Sequence, residues 1–149
     1  MIEVNIIEKE EVPAGWLQQF KAYASIADNV QDSLLLAMLT KAVLSVQQKA
    51  NKSLIACTIE LREDEIEDNS IRLYQTVAQV LSVKDKAAEL YWEPRGHCIR
   101  VYGDSATVLY RTEPRPADID ALLPVVFQYA TALYDGEDKQ TLANILALC

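Results

Sequence analysis

The side chains best suited to chemistry are few: one histidine, His97, the cysteines Cys57, Cys98 and Cys149, and a run of carboxylates at Glu63, Asp64, Glu65, Glu67 and Asp68. A zinc site needs several Cys, His or carboxylate ligands converging on one tetrahedron, usually marked by a CxxC or HxxxH pair. Neither pair occurs here, and His97 and Cys98 are neighbours in a strand-like segment, where adjacent side chains point to opposite faces. No metal is expected. No organic cofactor is expected either, because the chain has no P-loop and no GxGxxG, and its four glycines leave little from which to build a phosphate cradle. Three widely spaced cysteines make no disulfide framework.

Catalysis by a nucleophile has equally little to work with. There is no nucleophile elbow, and the single histidine follows the turn-like Glu93-Pro94-Arg95-Gly96, where it reads as a surface residue. The carboxylates could supply an acid/base pair, and a small hydrolase working through Asp64 and Glu67 is one reading. They cluster in loops and helix starts, however, where solvation or capping accounts for them. The segment 63–69 lacks the glycine and ligand spacing of a calcium loop. Tyr91, Trp92, Tyr102 and Tyr110 lie in strand-rich sequence without interleaved basic residues, so they read as core or interface aromatics, not as a base-stacking platform. The net charge of -8 and the pI near 4.6 argue against a surface that neutralises phosphates.

The elements that would position these residues follow from apolar periodicity. Ile2, Val4 and Ile6 mark a short extended start, and Trp16, Phe20 and Ala24 mark a short helix opening near Pro13. A long helix is expected over 28–50, capped by Asp28 with Gln31 and closed by Asn51. Its rows Val30/Leu34/Met38 and Leu35/Leu39/Ala42/Val46, widened by Leu36, Val43 and Leu44, cover too broad an arc for burial on one side only. Period two then takes over, with strands expected at 55–61, 70–74, 77–83, 88–92, 98–102 and 106–111. Their short connections favour antiparallel pairing. After Pro114 and Pro116 the helical period returns. A turn is expected up to Leu123, a main helix from Pro124, and a last helix after Gly136 with the stripe Leu142, Ile145, Leu146. The fold class is α+β in one domain spanning 1–149: a long N-terminal helix and C-terminal helices packed with a small antiparallel sheet. No apolar run is long enough to cross a bilayer, and the first residues lack the basic and apolar regions of a signal peptide, so synthesis in a cytoplasm and no membrane partner are expected.

What stands out is apolar surface in excess of what so small a domain hides, which marks partner surfaces. In this setting several strings resemble the head–tail connector (adaptor) proteins of tailed bacteriophages. Asp28-Asn29-Val30-Gln31-Asp32-Ser33-Leu34-Leu35 is similar to the acidic start and apolar run of that family's long helix. Val77-Ala78-Gln79-Val80-Leu81-Ser82-Val83-Lys84-Asp85 is similar to its strand-and-turn region, and Ala106-Thr107-Val108-Leu109-Tyr110-Arg111 to its last strand. Leu123-Pro124-Val125-Val126 through Ala130-Thr131-Ala132-Leu133-Tyr134 resembles its proline-led helix ending in Leu-Tyr. The resemblance spans roughly 28–134. The chain departs from it in having Arg111-Thr112-Glu113-Pro114 where a glycine often follows the last strand, and in its long segment before Asp28.

The resemblance implies a non-enzymatic virion protein at the head–tail junction. Its copies would form a ring of about a dozen, with the portal protein on one side and a stopper or tail component on the other. DNA would pass through the ring without specific binding. On this reading Leu36, Val43 and Leu44 face the adjacent protomer, Leu142, Ile145 and Leu146 dock on the portal or a protomer, and Glu63, Asp64, Glu65, Glu67 and Asp68 face the channel. The competing reading from the residues alone is a generic cytoplasmic interaction module.

Overall fold

The alternating Ile2, Val4 and Ile6 form strand β1 (Ile2–Lys9), the first element of the computed structural model, which describes residues 2–149. Helices α1 (Ala14–Tyr23) and α2 (Asp32–Ala50) follow. Seven more strands come next: β2 (Cys57–Glu63), β3 (Ser70–Arg72), β4 (Val77–Asp85), β5 (Ala88–Glu89), β6 (Trp92–Arg95), β7 (Cys98–Val101) and β8 (Ala106–Thr112). Helices α3 (Pro116–Tyr134) and α4 (Lys139–Leu146) end the chain. The class is α+β, with four helices and two antiparallel sheets among the described residues. The long helix, however, is not N-terminal. A strand and a short helix precede it, because the first residues alternate with period two and pair along β2 from Ile2 to Lys9.

The chain forms two compact units. One holds the residues up to Glu10 together with Ile55–Pro114, and the other holds Glu11–Leu54 and Arg115–Cys149. In the first unit, a five-stranded sheet runs β1-β2-β8-β4-β5 and a three-stranded sheet runs β3-β7-β6, all antiparallel. Apolar rows cross the larger sheet. Val4, Leu61, Val108 and Val83 are successive cross-strand partners, as are Ile6, Ile59, Tyr110 and Val80. The middle residues of both rows, Leu61, Val108, Ile59 and Tyr110, are fully buried. Two side chains of β8 bond to neighbouring backbone, one to the loop after β3 and one to the start of β2. The Tyr110 hydroxyl donates to the Tyr74 carbonyl at 3.2 Å and accepts the Tyr74 N–H at 3.1 Å. Thr112 Oγ1 accepts the Cys57 N–H at 3.0 Å and donates to the Cys57 carbonyl at 3.4 Å.

The strand expected at 88–92 is divided. β5 ends at Glu89, the Leu90 N–H still reaches the Val83 carbonyl, and β6 begins at Trp92 in the other sheet. Glu93, Pro94 and Arg95 belong to β6, so the turn shrinks to Gly96 and His97, with Gly96 in the left-handed region at φ 61. Pro94 fits there because β6 is an edge strand.

In the second unit, α2 packs with α3, α1 and α4. Phe20 stacks on Phe127 with ring centroids 6.2 Å apart, and Tyr23 meets the same ring at 6.0 Å. Lys21 is buried, and its ammonium donates to Asn29 Oδ1 at 2.6 Å and Asp32 Oδ1 at 2.8 Å, joining α1 to the start of α2. The cap of α2 differs from expectation. The helix starts at Asp32, while Asp28 instead accepts the Val30 N–H and closes a turn before the helix. Asn51 terminates it in the left-handed region, as its side-chain chemistry favours. Pro124 also behaves differently: α3 is continuous through it from Pro116. Pro124 and Asp120 are both exposed, so the carbonyl that loses its helical partner can turn to water.

Candidate functional site

The residues expected to carry function fall on three surfaces. On α2, Leu35, Leu39, Ala42 and Val46 form a buried row, while Leu34 and Leu36 stay open at 49% and 40% exposure. Val30, in the turn before α2, is 89% exposed. The apolar residues left uncovered therefore lie around the first two turns of the helix. Among the three residues assigned to a neighbour, Leu36 is accessible and Leu44 is half-buried. Val43 is not accessible: it lies on the inner side of the helix beside Leu39 and Val46 and is fully buried.

On α4, Asp138 caps the helix by accepting the Thr141 N–H at 2.8 Å, which holds the Asp138 carboxyl below its ordinary pKa. The helix packs on α3 and α2. Ile145 is buried there, so this member of the proposed docking stripe serves its own protein first. Leu142 and Leu146 are half-buried, and Leu148 is 61% exposed just beyond the helix. At the tip, burial raises the Cys149 thiol pKa and the nearby Lys49 partly offsets it.

The acidic segment is more ordered than a solvated loop. Glu63 is the last residue of β2 and is buried, and its carboxylate accepts the Glu65 N–H at 3.1 Å, so it belongs to the strand and not to an exposed loop. Asp64, Glu65, Glu67 and Asp68 are exposed. The Ser70 N–H bonds the Glu67 carbonyl across a tight turn in which Asp68 and Asn69 both take positive φ, at 55 and 53. Asp and Asn tolerate that conformation better than other side chains, which gives the turn a local cause.

Beside this segment, the outer face of the larger sheet forms an open groove of about 560 Å³. Arg62, Lys84 and Lys86 line it together with Glu60, Asp64 and Asp85. Arg62 Nε meets Glu60 at 3.1 Å, and the Ser105 hydroxyl donates to Asp85 at 3.1 Å. The signs are interleaved, so the groove presents no one-sided field to a polyanion.

His97 and Cys98 are adjacent at the β6–β7 turn, with His97 exposed. Among the described residues no group of three or more His, Cys, Asp or Glu side chains is arranged to hold a metal ion, and no helix is long and apolar enough to cross a membrane. The strand aromatics divide. Tyr110 is core, whereas Tyr91 and Tyr102 are 67% and 49% exposed, with Arg100 set over the Tyr102 ring at 5.3 Å. A hydrogen bond to Glu93 raises the Tyr91 phenol pKa.

One surface escaped the sequence reading. Every residue of β1 is exposed, including Ile2, Val4, Ile6 and Ile7 at 40% to 51%. The alternation that signals a strand was visible there, but periodicity does not reveal that the strand sits at a sheet edge.

No family model and no curated protein matches the sequence. Solved structures do match. A chain in the virion of a native gene transfer agent (GTA) particle superposes with a TM-score of 0.63 at 16% identity, covering 97% of this chain and 93% of that one. A chain in the neck of an empty GTA particle computed with C6 symmetry gives 0.62 at 16% identity, covering 89% and 84%. A chain in the neck of a native GTA particle computed with C12 symmetry gives 0.55 at 16% identity, covering 95% and 93%. The protein thus has, over nearly its whole length, the fold of chains from the neck and virion of gene transfer agent particles.

Proposed function

We propose that this protein is a non-enzymatic structural component of a virion neck, a head–tail connector whose copies form a ring between portal and tail. The observation that carries this reading is the shared fold with neck and virion chains of gene transfer agent particles over 89% to 97% of this chain. Support also comes from the symmetry of those assemblies and from the open apolar residues Val30, Leu34 and Leu36, which a soluble chain normally reserves for a partner. On this reading both compact units belong to one connector-like domain. Leu36 and Leu44 meet the adjacent protomer, Leu142 and Leu146 reach the portal or a neighbouring protomer, and a stopper or tail component lies beyond. DNA passes through a channel edged by Asp64, Glu65, Glu67 and Asp68, which attract none of its phosphates.

The test is assembly on its template. Purified protein is mixed with portal-bearing heads and with heads lacking portal, and the bound mass is measured by sedimentation and native mass spectrometry. Multi-copy binding restricted to portal-bearing heads is the expected result. A fixed dimer that ignores the heads would identify a generic interaction module instead.

A further inference from the structure

We propose that the ring is closed by strand addition: β1 of one copy pairs antiparallel with the open edge of β4 in the next, so that the larger sheet continues from protomer to protomer. This rests on the ring reading above and names the contact that would make it.

The larger sheet has two incompletely used edges. β1 is hydrogen-bonded to β2 on one side, and its other side is open along all eight residues. At the opposite end, β5 covers β4 only at Lys84 and Asp85, with one further bond from the Leu90 N–H to the Val83 carbonyl. The outer edge of 77–82 therefore has no strand beside it among the described residues, and Ala78, Gln79 and Leu81 are exposed. Unpaired N–H and C=O groups along a strand are a template for another strand. From Ile2 to Ile6, β1 carries no proline, no bulge and no charge on its apolar side, and Lys9 and the bulge at Ile7 guard only its far end.

The two edges are complementary to each other. Ile2, Val4 and Ile6 extend the apolar face of the sheet, yet exposure along the rows rises from 0% at Leu61 and Ile59 to 43% at Val4 and 42% at Ile6. At the far side, Val77 and Val80 are half-buried on the same face. A register that leaves Lys84 and Asp85 to β5, and keeps Ala78 bulged as it is against β8, sets Val4 beside Val80 and Ile6 beside Val77, apolar on apolar. On the polar face the same register sets Asn5 beside Gln79 and Glu3 diagonal to Lys84, opposite charges within cross-strand reach.

Strand direction agrees as well. Two strands separate β1 from β4, and every neighbouring pair is antiparallel, so β1 and β4 run in opposite directions. Extending the sheet sideways by a second copy preserves each strand's direction and lays its β1 antiparallel on β4. Such a contact is heterologous and propagates around a ring, whereas β1 against β1 would stop at a two-fold dimer.

The experiment uses full-length chains with Cys98→Ser and Cys149→Ser. One carries Asn5→Cys and another carries Gln79→Cys, both positions being exposed on the polar face. The chains are assembled on portal-bearing heads, alone and mixed, and treated with a short bifunctional maleimide. Cross-linked dimers are expected in the mixture and not in either chain alone. A third chain with Val4→Lys and Ile6→Lys should keep the thermal transition of the parent and lose assembly by at least roughly tenfold. Assembled rings that give no mixed cross-link, or that cross-link through Asn5→Cys alone, overturn strand addition and leave the ring reading standing. Protein that remains monomeric by itself and on portal-bearing heads overturns both.

Discussion

Tyr110 shows how much one side chain of this fold carries. It is fully buried between β2 and β4, and its hydroxyl both donates to and accepts from the backbone of Tyr74. Burial pushes the phenol up to about 12 from an ordinary 10.0, with the backbone contact pulling slightly the other way. The folded protein thus keeps a proton that the unfolded chain releases. The stabilisation is whole below pH 10 and disappears as pH climbs through the interval from 10 to about 12. Its size is on the order of 3 kcal/mol. Tyr110→Phe keeps the ring but strands the Tyr74 N–H and carbonyl, so it should cost about 1–3 kcal/mol at neutral pH. In urea titrations the parent should lose stability faster than Tyr110→Phe above pH 10, and parallel curves would show that the phenol is not the titrating group. The aromatic's place in a strand was readable from sequence, but its bond to Tyr74 was not, because that partner lies 36 positions away.

Helix α2 separates what holds the protein together from what it offers outward. Val43 is fully buried, so Val43→Asp places a charge in the core and should cost more than about 4 kcal/mol, enough to unfold many domains. Leu36→Asp on the open side should stay within about 1 kcal/mol of the parent by urea denaturation and weaken assembly instead. A folded Val43→Asp protein would refute this placement. In sequence the helix and its end at Asn51 were legible, because apolar periodicity over the 19 residues of α2 and a left-handed terminator act locally. Its division into covered and open sides was not, since Leu36 and Val43 are equally apolar and only tertiary packing tells them apart. Continuity of α3 through Pro124 was hidden for a related reason: proline's penalty depends on whether water reaches the freed carbonyl, and exposure is set by the fold. Helix α4 carries the corresponding test at the other end of the chain. Ile145 is buried, so deleting 137–149 should lower stability by about 2–3 kcal/mol without unfolding the remainder. Loss of attachment to portal-bearing heads by that soluble, folded truncation is the expected result. Attachment at the parent's level would leave Leu142 and Leu146 with a purely internal role.

At the scale of the whole molecule, charge decides how the protein meets duplex DNA. A net charge of -8 repels duplex DNA on average, so affinity would require a local concentration of cations. The groove on the outer face of the larger sheet has three, Arg62, Lys84 and Lys86, but Glu60, Glu63, Asp64 and Asp85 line the same space. Phosphates entering it would release few counterions, and counterion release supplies most non-specific affinity. Fluorescence anisotropy with a labelled duplex should therefore show no saturable binding at physiological salt. A submicromolar affinity that falls steeply with salt would contradict the proposed channel, which DNA is to cross without sticking. The same logic predicts a gain of function. Glu60→Lys together with Asp64→Lys changes the groove by four charges and leaves only Glu63 and Asp85 against Arg62, Lys84, Lys86 and the two new lysines. Both positions lie outside the buried apolar rows, so the fold should survive. This variant should bind duplex with a salt slope that grows roughly in step with the phosphates newly contacted. If it binds no better than the parent while remaining folded, the interleaved carboxylates are not what keeps DNA away, and geometry alone must exclude it.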